Sequence, residues 1–93
     1  MNINIAKDAL EYISNKGRVV LIDIKVAGRW VRIEEPVVLL KEPQNINDYT
    51  LYNMDDINVY IKKSIKDTDI TIKLSRFLIF KTLTVEGLEI NKL

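Results

Sequence analysis

The sequence predicts a mainly β fold, α+β only in a minor sense: about seven short strands with one N-terminal helix. Three observations carry this. Isoleucine and valine recur along the chain, and β-branched side chains lose rotamer freedom in helices while packing well on pleated sheets. Apolar and polar residues alternate through most of the runs after residue 18, the period of a half-buried strand. A single stretch near the start carries helical spacing instead. No repeat, low-complexity tract or linker interrupts the 93 residues, so residues 1–93 are read as one domain.

The helix comes first. In AKDALEYISNKG, Ala6, Ala9, Leu10 and Ile13 fall at i, i+3, i+4 and i+7, which is one helical face. Ala6 stands where a capping Ser or Asp is preferred, and Asn4 is the alternative cap. Gly17 suits the left-handed residue beyond the helix end.

After Gly17 the period becomes two. RVVLIDIKV sets Val20, Ile22, Ile24 and Val26 on one face, with Val19, Leu21, Asp23 and Lys25 on the other. Ala27-Gly28-Arg29 then joins it to WVRIEE, and a short glycine-containing connection between two such runs reads as a hairpin. Pro36 and Pro43 bracket VVLLKE. Proline cannot donate to a ladder, so this piece is an edge strand or an extended connection.

QNIND (44–48) is a loop, YTLY a strand, and NMDD a turn. INVYIK aligns Ile57, Val59 and Ile61, and KSIKDTD is a loop or a single helical turn. ITIKL aligns Ile70, Ile72 and Leu74. FLIF (77–80) is apolar on both faces and is expected to be the most buried strand. TLTVEGLEI closes the chain with Leu83 and Val85 inward.

Composition excludes several chemistries. The chain has no cysteine and no histidine, so it offers no disulfide, no thiolate, no zinc site of Cys and His, and no imidazole to move a proton near neutrality. Lys and Arg number 14 against 13 Asp and Glu, interspersed. Lys62, Lys63 and Lys66 cluster, but Asp67 and Asp69 follow, which reads as a solvated strand end and not as a phosphate-contacting patch. No nucleic acid is expected. The apolar runs are far too short to span a bilayer, and no basic region precedes an apolar one at the N-terminus. No membrane partner is expected, and the protein is placed in the cytoplasm.

The carboxylates suggest little. Glu34 and Glu35 are neighbours on a strand and point to opposite faces. Asp55-Asp56 lies in a turn. Asp67 and Asp69 share a face and read as a solvated turn. No serine has an activating base, and Gly17, Gly28 and Gly87 are too scattered to cradle a phosphate. No enzyme is expected. Asp55, Asp56, Asp67 and Asp69 are the hard oxygen ligands for an alternative in which iron or magnesium is held without sulfur. Arg29, Trp30 and Arg32 form a candidate interaction loop, since Trp and Arg are enriched at binding hot spots. The competing reading has Trp30 capping the core with its indole edge wet.

The segments INIAKDALEYI, VVLIDIKVAG, YTLYNMDDINVYI and ITIKLSRFLIFKTLTVEGLEI, in this order, resemble the HesB-like fold of A-type iron–sulfur carriers. The likeness is closer to the small CC/Se-motif branch, through ALEYI, EPVVLLKEP (35–43) and the ending VEGL. The resemblance implies a HesB-like small β domain and thiolate chemistry, with a Cys, Cys-Cys or Cys-selenocysteine after the second segment. At or near Arg29-Trp30 this chain has none, so no ligand and no cofactor is carried over. What remains is a non-catalytic binding or structural module. A protein partner and a homodimer through a strand edge, at YTLY or VVLLKE, are expected, with a residual iron or iron–sulfur-assembly role through oxygen ligands as the alternative.

Overall fold

The computed structural model describes residues 1–89. The strands are β1 (Ile3–Ile5), β2 (Val19–Ala27), β3 (Ile33–Leu39), β4 (Tyr49–Met54), β5 (Ile57–Lys62), β6 (Ile70–Phe77) and β7 (Phe80–Glu86), with the helix α1 at Lys7–Ser14. They form a three-stranded sheet ordered β1-β6-β7 and a four-stranded sheet ordered β3-β2-β5-β4. Most of the anticipated strands are present, but WVRIEE and VVLLKE merge into the single strand β3, FLIF is divided between the ends of β6 and β7, and a short strand, β1, appears that the sequence reading placed in no element. The closing run expected to reach Ile90 ends as a strand at Glu86; Ile90 and the rest of 90–93 lie outside the described residues.

The helix starts at Lys7 after an uncapped Ala6. Asn4, the alternative cap, is instead paired with Thr71 in the parallel β1–β6 ladder. The Asp8 carboxylate accepts the Ala9 amide, and the Ala6 amide donates to Ile72 of β6, tying the helix start to the sheet. Gly17 past the end is left-handed, φ +103°.

The core lies between the two sheets and under the helix. Ala9 and Ile13 meet Val20 and Ile22 of β2, Ile57, Val59 and Ile61 of β5, and Ile3, Ile70, Ile72 and Leu83 of the smaller sheet. Those on β2, β5, β6 and β7 are the inward positions the period-two pattern selects, so alternation set the face of each of these strands before any tertiary contact did.

The outer face of the four-stranded sheet is covered differently. Leu39, Leu21, Tyr60 and Leu51 are aligned across all four strands. Because β3 and β4 occupy opposite edges, the 40–48 connection has to run from one edge to the other. It borders Leu21 and Asp23 with Lys41, Pro43 and Asn45 around a hollow of about 220 Å³, and Leu21 and Tyr60 in the middle of the row are buried.

Pro36 sits inside β3, opposite Ile24, where an edge strand tolerates its missing N–H. The β4–β5 turn uses Asp55 and Asp56, both at positive φ, the two-residue turn whose twist matches its strands. Both segments named as exposed edges are edges. β3 runs beside β7 across a groove, which leaves β4 as the more open of the two.

Candidate functional site

Two hairpins project beyond their sheets. β2 pairs with β5 only over Val19–Ile22 and then continues to Ala27 against β3 alone. At 3.3 Å per residue that is an arm of about 16 Å. Val26 and Ile33, on its flank, are exposed for this reason. The arm turns through residues 28–32, longer than the three-residue junction read from sequence, and β3 begins only at Ile33. Gly28 has φ +111°, and a Cβ there would meet the Val31 carbonyl oxygen at 1.9 Å. The loop folds tightly over a bare backbone position and admits only glycine.

Trp30 is 92% exposed at the tip. The expectation that it caps the core is corrected: the arm has carried it past the last residue of β2 that pairs with β5, and its side chain stands in water. Val31 beside it is also exposed. Arg32 donates to Glu34 at 3.1 Å, while Arg29 has no carboxylate within 4 Å among the described residues. The structure therefore brings Arg29, Trp30 and Arg32 together on one exposed loop, as a candidate contact surface requires.

The second arm corrects a larger expectation. FLIF is not a buried strand; it is the hairpin end of β6 and β7. Phe77 pairs with Phe80, and Leu78 and Ile79 make the turn. The four side chains are between 67% and 90% exposed. β1 pairs with β6 only at Ile70–Ile72, so the last part of the hairpin stands on two strands. Leu78 has φ +55°, a conformation costing a leucine roughly 1–2 kcal/mol and one that hairpin turns usually fill with Gly, Asn or Asp. A groove of about 500 Å³ separates this arm from the helix, with Glu11, Tyr12 and Lys16 on one wall and Arg76, Ile79 and Phe80 on the other.

Among the described residues, the perturbed titratable groups lie elsewhere, at a site the sequence reading did not find. The Tyr49 hydroxyl on β4 donates to Asp23 Oδ2 on β2 at 2.8 Å. Lys62 Nζ, on β5 between them, lies 3.4 Å from Asp23 Oδ1, and the Ile24 amide donates to the same oxygen. Burial alone would raise the Asp23 carboxyl, but the bonds from Tyr49 and Ile24 and the Lys62 charge outweigh it and hold the carboxyl below its ordinary value. Burial and then Asp23 push the Tyr49 phenol up to about 12. A carboxylate already engaged and a phenol made less acidic offer neither a base nor a nucleophile. The trio clasps three adjacent strands. An acidic residue interrupting the apolar β2 run was the available signal, but its partner lies 26 residues away.

The carboxylates proposed as hard ligands are not gathered. Asp55 and Asp56 precede β5, while Asp67 and Asp69 follow it, so the length of a strand separates the pairs. Asp67 instead meets the amino terminus at 2.5 Å. Among the described residues no three carboxylates stand close enough to hold a metal ion. Of the lysine cluster, Lys62 is the clasp and Lys66 pairs with Glu89 at 3.3 Å. No helix among the described residues is long and apolar enough to cross a membrane.

Comparison with known proteins agrees with this architecture. The model of the CC/Se motif containing family matches residues 1–88. No curated protein sequence matches the chain. Among solved structures, the fold is similar to that of Escherichia coli SufA, described as involved in biosynthesis of iron–sulfur clusters. The TM-score is 0.59 at 10% identity, over 92% of this chain and 80% of SufA. At that identity the likeness is one of fold, and the small, mainly β, HesB-like architecture is the one both chains share.

Proposed function

The chain belongs to the CC/Se motif containing family, and from that premise we propose that it is a non-catalytic binding module that works in the cytoplasm without the sulfur its relatives are named for. With no cysteine anywhere in the sequence, nothing here can form a thiolate-held cluster. The Arg29–Arg32 loop then serves as a contact surface for a protein partner.

The observation that supports this reading is Trp30, 92% exposed on a loop whose shape depends on Gly28. An indole held in water does nothing for the fold, whereas aromatic and arginine side chains on a preshaped loop are what a partner's pocket takes up.

Two measurements test it. Protein purified without oxygen and offered ferrous iron and sulfide is expected to stay colourless after desalting; a stable brown chromophore overturns the proposal. Trp30→Ala is expected to lose the proteins that the wild-type chain captures from its native host while its unfolding midpoint stays unchanged. A variant that unfolds, or one that captures the same proteins as wild type, removes the loop from the reading.

A further inference from the structure

The β6–β7 hairpin end is explained neither by the fold nor by the reading above. Its four apolar side chains add nothing to the core, and Leu78 holds a left-handed conformation in place of a residue that would take it freely. A two-residue turn selected only to close a hairpin would carry glycine at this first position, followed by a small polar residue. Leucine and isoleucine here point to a role outside the chain.

The surroundings say what kind of surface would take them up. The sequence is Arg76-Phe-Leu-Ile-Phe-Lys81, so a cation stands on each strand below the apolar end. Arg76 and Lys81 are direct partners in the ladder, and both are exposed. Neither has a carboxylate within 4 Å among the described residues. Lys16 lies on the facing wall of the groove, with Asp8 and Glu11 further along the same helix. Four side chains of this size, exposed as they are, place roughly 500–600 Å² of apolar surface in water. That is the upper end for a monomer, yet short of the roughly 800 Å² per partner that a stable protein interface buries. A bilayer needs no matching shape and no minimum footprint. It takes up a narrow apolar projection at the depth of its headgroups, and anionic lipids attract the cations beneath.

We infer that the Phe77–Phe80 hairpin end dips into the interface of an anionic lipid bilayer, with Arg76 and Lys81 at the level of the headgroups. This is a peripheral contact, and the shortness of the apolar runs, which argues against a membrane-crossing helix, does not bear on it. It uses a different arm from the Trp30 loop, so either proposal stands if the other fails.

Vesicle flotation tests it. The full chain is mixed with vesicles of phosphatidylcholine alone or with 30% phosphatidylserine, at low and at physiological salt. Binding to the anionic vesicles is expected to be at least tenfold stronger than to the neutral ones and to weaken as salt rises. The double variant Leu78→Gly/Ile79→Asn, which puts glycine at the one positive-φ position of the turn and so keeps the fold, is expected to lose binding at least tenfold with an unfolding midpoint equal to or above wild type. Arg76→Gln/Lys81→Gln is expected to abolish the preference for anionic lipid. Equal or absent binding to both vesicle types overturns the inference. So does a dimer in light scattering that the Leu78→Gly/Ile79→Asn variant dissolves, since the end would then be a contact between copies.

Discussion

The β2–β3 arm and the β6–β7 arm each run past the last neighbouring strand that pairs them, after Ile22 in one and after Ile72 in the other, yet they turn by opposite means. The first turns through residues 28–32 around a glycine whose missing side chain is a steric necessity. The second turns on two residues, one a leucine in a conformation suited to glycine. In the first, backbone geometry dictates the residue. In the second, the apolar character of the residue is retained against the preference of the backbone. A loop whose shape is enforced can lose a reactive side chain and still present its remaining residues in the same way. A turn occupied by awkward residues is explained by what those residues touch.

The comparison is broken or sharpened most strongly at the roots of the arms. Ile22→Ala and Ile72→Ala, both fully buried, are expected to cost about 2–5 kcal/mol in denaturant unfolding. Val26→Ala and Ile79→Ala, further out, are expected to stay within about 0.5 kcal/mol. Similar costs at root and end would mean that the arms fold back onto the body. Next, Gly28→Ala is expected to destabilise by about 1–3 kcal/mol and to move the loop amide resonances, because the added carbon collides with backbone and cannot rotate away. No change there would remove the enforced shape from the first arm.

A smaller effect is expected from Tyr49→Phe, about 1 kcal/mol, through the hydrogen bond to a charged carboxylate at a partly exposed site. The pH profile gives the sign. The Asp23 carboxyl is held below its ordinary 3.8, so its contribution is present above that value and lost as pH falls through the lower folded one. The Tyr49 phenol is raised from 10.0 to about 12, so its contribution is whole below pH 10 and lost as pH climbs toward 12. Wild type should lose stability at both extremes, and the variant should lose less at each. The smallest shift is a gain: Leu78→Gly is expected to stabilise by about 0.5–1 kcal/mol by relieving the positive-φ leucine. A loss would show that Leu78 packs against the chain after all.

Much of this architecture was legible in the residues, because alternation is a local property. Ile57, Val59, Ile61, Ile70 and Ile72 sit on their predicted faces since nothing but the strand period decides it. What was not legible depended on partners distant in sequence. Three residues of β1 are too few to show a period, and they are strand only because β6 lies alongside. FLIF was misplaced because hydrophobicity and burial are usually linked, and here the run falls where two strands outrun their sheet. Trp30 was misplaced for the same reason at the other arm, although the loop that bears it was identified.

The pairing of β1 with β6 also has a consequence in time. The first ladder of the smaller sheet joins Ile3 to Ile70, so that sheet cannot begin to form until three-quarters of the polypeptide has left the ribosome. Until then Ile3 and Ile5 have no strand to lie against, and closing so long a loop is slow compared with forming a hairpin. The four-stranded sheet, complete by Lys62, can assemble first, and the nascent chain spends the interval with its opening strand unclaimed.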